Sequence, residues 1–302
     1  LVPEILRGQI TVSAVEADGT PVDATGVQIP GVLDDLYAND ASLGLTLNGD
    51  VPTIRVWAPT AQNVVFHLFA DSEPATLSDT FEMTRDDVTG IWSVTGDSGW
   101  MNQYYLFEVT VFAPTENAIV TNVVTDPYSV SLAMNSTRSQ IVDLNDPTLM
   151  PDGWQTYEKP EFTVPEDIVV YELHVRDFSI FDETVPEEFR GTFMAFTVAE
   201  SNGMAHLSEL ADSGLTHLHL LPLFDLATIN EDVSARVEPD VDELASFGPA
   251  DDSQQGLINP IRDEDGFNWG YDPYHFNVPE GSYATDPDGT QRIIEFREMV
   301  MA

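Results

Sequence analysis

The spacing of apolar residues changes once along this chain, near residue 150. Before that point, short segments alternate between polar and apolar residues, as at 53–57 (TIRVW) and 104–111 (YYLFEVTV). Turn residues separate such segments every ~8–12 residues, which is typical of a β-sandwich. We therefore predict a β-sandwich module over residues 36–150.

The pattern after residue 150 is one of strands alternating with helices. A proline-punctuated linker is predicted over 151–165, followed by a largely apolar segment at 168–175 of the kind that forms buried parallel strands. Residues 204–211 have the apolar spacing of an amphipathic helix, and 216–222 form a second apolar strand. Strand, helix, strand is the opening of an α/β fold, which we assign to residues 166–302.

The first 35 residues contain one predicted strand, at 9–15, followed by the turn Asp18-Gly19. One strand does not make a domain, so we interpret 1–35 as the end of an upstream β domain or as a linker. The chain begins with Leu1 rather than Met and has no signal-peptide pattern. We therefore expect it to be a piece of a longer protein.

Charge and composition exclude several kinds of partner. The chain has 52 Asp and Glu residues against 11 Lys and Arg, a formal net charge of −41, and no Cys. Such a surface repels the phosphates of nucleic acid, so nucleic acid is not an expected partner. The absence of Cys excludes disulfides, thiolate nucleophiles and Cys-ligated metals. No apolar run approaches the ~18 residues of a membrane span.

One loop combines aromatic rings with hydrogen-bonding side chains. Residues 266–273 read GFNWGYDP. Sugars present flat C–H faces on which aromatic rings stack, and their hydroxyls pair with Asp and Asn side chains. From the residues alone, an aromatic loop packed as a cover over a core is the favoured interpretation.

This loop resembles a known signature. Residues 267–273 are similar to the Tyr-Asn-Trp-Gly-Tyr-Asp-Pro motif of pullulanases and related debranching enzymes, in glycoside hydrolase family 13 of the α-amylase superfamily, with Phe267 in place of the first Tyr. Further segments resemble the same family in the same order, at 28–37, 56–61, 124–128, 139–144, 172–177, 221–228 and 278–289. We therefore expect an N-terminal fragment of a pullulanase-type enzyme.

The resemblance implies both a fold and an activity. It implies a starch-associated, immunoglobulin-like carbohydrate-binding module, followed by the incomplete start of a (β/α)8 TIM barrel. It also implies that the full-length enzyme hydrolyses α-1,6-glucosidic branch linkages in pullulan, amylopectin or glycogen with retention, and that it is secreted, periplasmic or at the cell surface. There are two alternative interpretations. One is a non-catalytic α-glucan-binding protein, and the other is an isoamylase or branching enzyme.

The resemblance also implies residue roles. In the family, the Tyr of Gly-Tyr-Asp-Pro stacks under the sugar next to the cleaved bond, and Tyr271 matches it. Asp272 lies beside that Tyr, and Asn268 and Trp269 complete the predicted substrate-binding set. The family's catalytic Asp and Glu follow later barrel strands, so we expect them beyond Ala302 and assign no catalytic residue here.

Weaker candidates lie elsewhere in the chain. Trp57 and Trp92 are candidates for glucan binding on the module. Trp57 lies at the end of an alternating strand, so core packing is an equal alternative for that residue. His217 and His219 share one face of a strand but lack a third ligand, so we assign no metal site to them. The acidic run 263–265 (DED) is a candidate for Ca²⁺, with a solvated loop as the favoured alternative.

Overall fold

The computed structural model describes residues 1–161 and 164–302. Residues 162–163, within the predicted linker 151–165, lie outside the described residues. The chain divides into two compact units, one formed by residues 1–129 with 138–141 and the other by 130–137 with 142–302.

The first unit begins with a β-hairpin between two short helices. The strand predicted at 9–15 is present as β1 and pairs antiparallel with β2 across a turn in which Gly19 has a φ of +89°. The sequence analysis missed β2, so this segment contains two strands rather than one. The elements are α1 (Val2–Ile5), β1 (Thr11–Val15), β2 (Pro21–Gly26) and α2 (Pro30–Tyr37).

The rest of this unit consists of two antiparallel sheets. One has the strand order β3-β4-β8-β7, and the other has the order β10-β9-β5-β6 with β11 also paired to β9. The strands are β3 (Gly44–Asn48), β4 (Val51–Trp57), β5 (Asn63–Phe69), β6 (Leu77–Glu82), β7 (Thr84–Arg85), β8 (Ile91–Thr95), β9 (Tyr104–Ala113), β10 (Ala118–Val124) and β11 (Ser139–Gln140). The predicted β-sandwich is confirmed.

Alternation along the strands builds the core of this sandwich. On β4, Ile54 is fully buried while its neighbour Arg55 is half-buried, as the two-residue period of a strand requires. Phe66 of β5 lies at the centre, with its ring stacked on Trp100 and on Tyr105 at centroid distances of 5.1 Å each. One apolar cluster therefore includes side chains from both sheets.

The second unit contains a β-α-β element. Strands β12 and β13 pair in parallel, and α3 lies between them in sequence. The hydroxyl of Ser201 caps α3 by accepting a hydrogen bond from the Met204 amide at 3.3 Å. The elements of this unit are β12 (Val170–Leu173), α3 (Asn202–Asp212), β13 (His217–Leu220), β14 (Phe224–Leu226), α4 (Val241–Ser246), α5 (Ser253–Ile258), β15 (Pro273–Pro279) and α6 (Gln291–Met301).

The structure differs from the expected barrel wall. Residues 168–175 were predicted as a buried strand, but Val170, Tyr171 and Leu218 on the paired strands are exposed. Within the described residues, β12 and β13 form a two-stranded sheet, and no further strand pairs with either of them. No helix among the described residues is long and apolar enough to be a membrane span.

Candidate functional site

The aromatic loop, residues 266–272, leads directly into β15. It is held beside β14 by a backbone hydrogen bond from the Ala227 amide to the Asp272 carbonyl oxygen, at 3.0 Å. Gly270 has a φ of +88°, and a Cβ atom there would lie 2.7 Å from the Pro222 carbonyl oxygen. Only glycine combines this backbone conformation with such a close approach, so the loop has a defined path.

His174, the residue that follows β12, holds the middle of this loop through a hydrogen bond. His174 is buried, and its Nε2 lies 2.7 Å from the carbonyl oxygen of Asn268. The side chain of Asn268 accepts a hydrogen bond from the Gly270 amide at 2.7 Å and donates one to the hydroxyl of Thr228. Asn268 therefore has a structural role in the loop.

Two aromatic side chains of the loop are open to solvent. Tyr271 is 70% exposed and Trp269 is 62% exposed, whereas Phe267 is half-buried with its ring 5.5 Å from that of His174. Phe267 therefore packs as the cover interpretation of the loop predicts. Tyr271, by contrast, presents an uncovered ring face. Asp272, which is also exposed, lies next to it.

Charged groups surround the base of the loop. Arg176 lies 3.4 Å from Asp177 and 3.7 Å from Glu238 in ion pairs, and its guanidinium carbon lies 6.0 Å from the centroid of the Phe267 ring. The hydroxyl of Tyr283 lies 3.2 Å from His174 Nε2. Burial, followed by the nearby charge of Glu280, raises the pKa of Tyr283, so this hydroxyl stays protonated.

The two tryptophans predicted on the module are tied to its own backbone. Trp92 is buried in the sandwich core, and its indole N–H donates to the Ala58 carbonyl oxygen at 3.0 Å. Trp92 is therefore part of the sandwich core, although the sequence made it a candidate for glucan binding. Trp57 is half-buried and donates to the Thr89 carbonyl oxygen at 3.0 Å.

Comparison with known proteins finds similar proteins that match along the whole chain. Residues 1–35 match the Pullulanase N2 domain, and residues 42–129 match carbohydrate-binding module 48, the isoamylase N-terminal domain. Pullulanase of Klebsiella pneumoniae is 40% identical to this chain over 340 residues, which cover 100% of this chain and 31% of that protein. Along its whole length, the chain is similar to pullulanases. This confirms the resemblance inferred from the loop and the other segments.

Other pullulanases agree with this assignment. Chloroplastic pullulanase 1 of Arabidopsis thaliana is 38% identical, covering 99% of this chain and 31% of its own length. A crystal structure of Klebsiella pneumoniae pullulanase complexed with maltotriose superimposes with a TM-score of 0.90 at 39% identity, covering 100% of this chain and 32% of that one. The chain thus spans about a third of the length of the pullulanases it matches.

Among the described residues, the histidines at 217 and 219 and the acidic run 263–265 are not gathered into a cluster of three possible metal ligands. His219 is exposed and pairs with Glu172 at 3.0 Å, and His217 is exposed beside it. In the run 263–265, a carboxylate oxygen of Asp265 accepts a hydrogen bond from the Phe267 amide at 3.0 Å, so this side chain shapes the loop.

The described residues place three potential metal ligands together at one other point, which the sequence analysis missed. These are the buried carboxylates of Asp225, Glu231 and Glu280. Two of them fall in segments that resemble the pullulanase family, at 221–228 and 278–289. However, up to 55 residues separate them in sequence, and no local spacing signals that they meet.

Proposed function

We propose that the full-length protein hydrolyses α-1,6-glucosidic branch linkages in pullulan, amylopectin or glycogen. The observation that carries this proposal is the uncovered ring of Tyr271 on a loop whose backbone is held by His174 and by the close approach at Gly270. A rigid, exposed aromatic ring next to a carboxylate suits the flat face and the hydroxyls of a glucose unit. The pullulanase relatives supply the class of linkage.

In this proposal, the chain binds substrate and the chemistry is supplied by residues outside it. Retaining glycosidases use two carboxylates about 5–5.5 Å apart, one as nucleophile and one as acid/base. We assign neither role to an acidic residue of this chain. Tyr271, Trp269, Asn268 and Asp272 form its part of the substrate site, with Asn268 acting through the loop backbone. We also propose a secreted, periplasmic or cell-surface location, which the resemblance to secreted bacterial pullulanases implies.

We infer that residues 166–302 are the start of a (β/α)8 barrel, joined by a linker at 151–165 to a module at 36–150. Three features support this. The strands β12 and β13 are parallel with a helix between them. Their exposed apolar side chains suit a sheet that further elements cover, since parallel sheets are normally buried on both faces. The aromatic loop contacts His174, which follows the carboxyl end of β12, where barrel enzymes place their sites.

Glucan binding without catalysis is the alternative function. It is favoured by the match of residues 42–129 to carbohydrate-binding module 48. In both functions, α-glucan is the ligand of the module, and Trp57 remains a candidate contact because its ring is only half-buried.

Product analysis of pullulan digestion tests the proposed function. Pullulan consists of maltotriose units joined by α-1,6 linkages, so cleavage of those linkages releases maltotriose. We expect the full-length protein to release maltotriose from pullulan. Products that retain an α-1,6 linkage would identify an α-1,4-hydrolase, and binding to amylopectin without any product would favour the non-catalytic alternative.

A further inference from the structure

The basic side chains of this protein lie mostly inside the structure rather than on its surface. All 11 Lys and Arg residues belong to the part of the chain that the structure describes, and only Lys159 and Arg262 among them are exposed. Arg138 and Arg292 are 6% and 0% exposed, and the rest are half-buried. The surface therefore has almost no positive charge of its own.

Many of these arginines hold segments of backbone in place. Arg138 donates to the carbonyl oxygens of Asp71 and Glu73 at 2.8 Å and 2.7 Å. Further arginines that donate to main-chain carbonyl oxygens are Arg85, Arg190, Arg236, Arg292 and Arg297. Such bonds satisfy carbonyl groups that would otherwise be buried without a donor. Positive charge is thus used inside the structure, where it does little to offset exposed acids.

The acidic side chains have the opposite distribution. Most of the 52 Asp and Glu residues are exposed, and they occur in both units of the chain. Many of the exposed acids are adjacent in sequence, as at 34–35, 86–87, 166–167, 187–188 and 251–252. Because there are only 11 basic residues, most of these carboxylates have no basic side chain to pair with. Neighbouring carboxylates on the surface therefore repel one another.

The distance over which salt screens a charge sets the concentration at which this repulsion fades. The screening length is about 10 Å at 0.1 M salt and about 3 Å at 1 M. Successive Cα atoms lie about 3.8 Å apart, so the carboxylates of an adjacent pair are generally closer together than the screening length at 0.1 M. Their repulsion persists at such low salt and is screened only as the concentration approaches molar values.

We propose that the stability of this protein depends on molar concentrations of monovalent salt. A large net charge of one sign destabilises the compact state through self-repulsion, and the unfolded chain suffers less because it is more expanded. Cations that gather at the acidic surface weaken this repulsion without occupying a specific site. The inward arginines keep their bonds in such salt, because buried contacts are screened much less than exposed ones. This inference is independent of the proposed activity, since it depends only on the distribution of charge.

The test measures the midpoint temperature of thermal unfolding of the full-length protein in NaCl and in KCl, from about 0.1 M to about 2 M. We expect the midpoint to rise throughout this range by at least about 5 °C, and similarly in the two salts, because screening does not require a particular monovalent cation.

A variant with fewer exposed acids identifies the source of the rise. It combines Asp34→Asn, Asp35→Asn, Glu166→Gln, Asp167→Asn, Glu187→Gln and Glu188→Gln. We expect its midpoint to rise by at least about 1 °C less than that of the parent. The matched control exchanges Asp for Glu and Glu for Asp at the same positions, which keeps the charge, and it should follow the parent. Exclusion of salt from the protein surface acts alike on all three proteins, so the difference between them isolates charge.

Three results would overturn the proposal. A midpoint that stays level or falls above about 0.1 M salt would show that repulsion between the acids does not limit stability. A rise in NaCl without one in KCl would indicate a specific ion site rather than screening. Equal rises in the parent and in the amide variant would mean that the exposed acids are not the source of the effect. The parent alone decides the first two outcomes, so the proposal can be refuted even if a variant does not fold.

Discussion

His174 Nε2 lies 2.7 Å from the carbonyl oxygen of Asn268, a residue 94 positions further along the chain. A carbonyl oxygen only accepts, so Nε2 carries the proton of this bond. The other ring nitrogen, Nδ1, accepts from the Asp177 amide at 3.3 Å. Both ring nitrogens are therefore used by backbone groups, and His174 connects the end of β12 to the loop that presents Tyr271.

Removing this connection should loosen the aromatic loop. His174→Ala leaves the Asn268 carbonyl oxygen without its partner, at a cost of about 1–3 kcal/mol in unfolding free energy. We expect weaker binding of maltotriose and faster proteolytic cleavage within residues 266–272. The control is His219→Ala, which alters an exposed histidine of β13 and should change neither measurement. Equal effects from both variants would contradict the role given to His174.

The ring of Tyr271, rather than its hydroxyl, should carry the contact with sugar. We expect Tyr271→Ala to weaken maltotriose binding about tenfold, equivalent to about 1.4 kcal/mol, while Tyr271→Phe stays close to the parent. Isothermal titration calorimetry measures both. Phe181→Ala, which removes a 79% exposed ring outside the loop, should leave binding unchanged. Binding that survives in Tyr271→Ala would remove this residue from the site.

The core of the sandwich depends on Phe66. Its side chain is fully buried between Trp100 and Tyr105, so Phe66→Ala removes a stacked ring and leaves a cavity. We expect a loss of about 3–5 kcal/mol in unfolding free energy, measured by urea denaturation. Val88→Ala, at a 77% exposed position, should stay within about 0.5 kcal/mol of the parent. A small loss in Phe66→Ala would mean that the ring is not central to the core.

Stability in metal-free buffer should depend on the ionisation of Glu280. Burial, followed by the charge of Glu231, raises the pKa of Glu280 from its usual 4.5 to about 8. Between these values, the folded protein holds a proton that the unfolded chain has released, so the stability contributed by this group falls as pH rises. Each unit of pKa difference corresponds to about 1.4 kcal/mol.

The comparison of the parent with Glu280→Gln isolates this contribution. Relative to the variant, the parent should lose unfolding free energy between about pH 5 and about pH 8, as measured by denaturant unfolding. Parallel pH profiles for the two proteins would show that Glu280 does not titrate in this range.

The elements that local spacing determines could be predicted. The strands around Ile54 and Phe66 follow the two-residue alternation that one buried face imposes, and α3 follows helical spacing with a serine cap. The loop at Tyr271 was recognisable because its motif is contiguous. Its exposure was not predictable, since it depends on His174 holding the backbone from 94 residues away.

The features that the sequence analysis missed depend on contacts between distant segments. Strand β2 has little apolar character, and pairing with β1 makes it a strand. Trp92 and Trp57 occur in similar strands, and packing between the two sheets decides that Trp92 is the buried one. Asp225, Glu231 and Glu280 come from three separate segments. Nothing in the local sequence distinguishes any of them from the rest of the 52 Asp and Glu residues.

The most direct test of the account compares reducing-end release from pullulan by two proteins, this 302-residue chain and a protein extended to the length of the pullulanase relatives. The account predicts activity in the extended protein and none in the 302-residue chain, because it proposes that the substrate loop lies within this chain and that the catalytic carboxylates lie outside it. Hydrolysis by the 302-residue chain alone would contradict that placement, and a folded but inactive extended protein would contradict the proposed function itself.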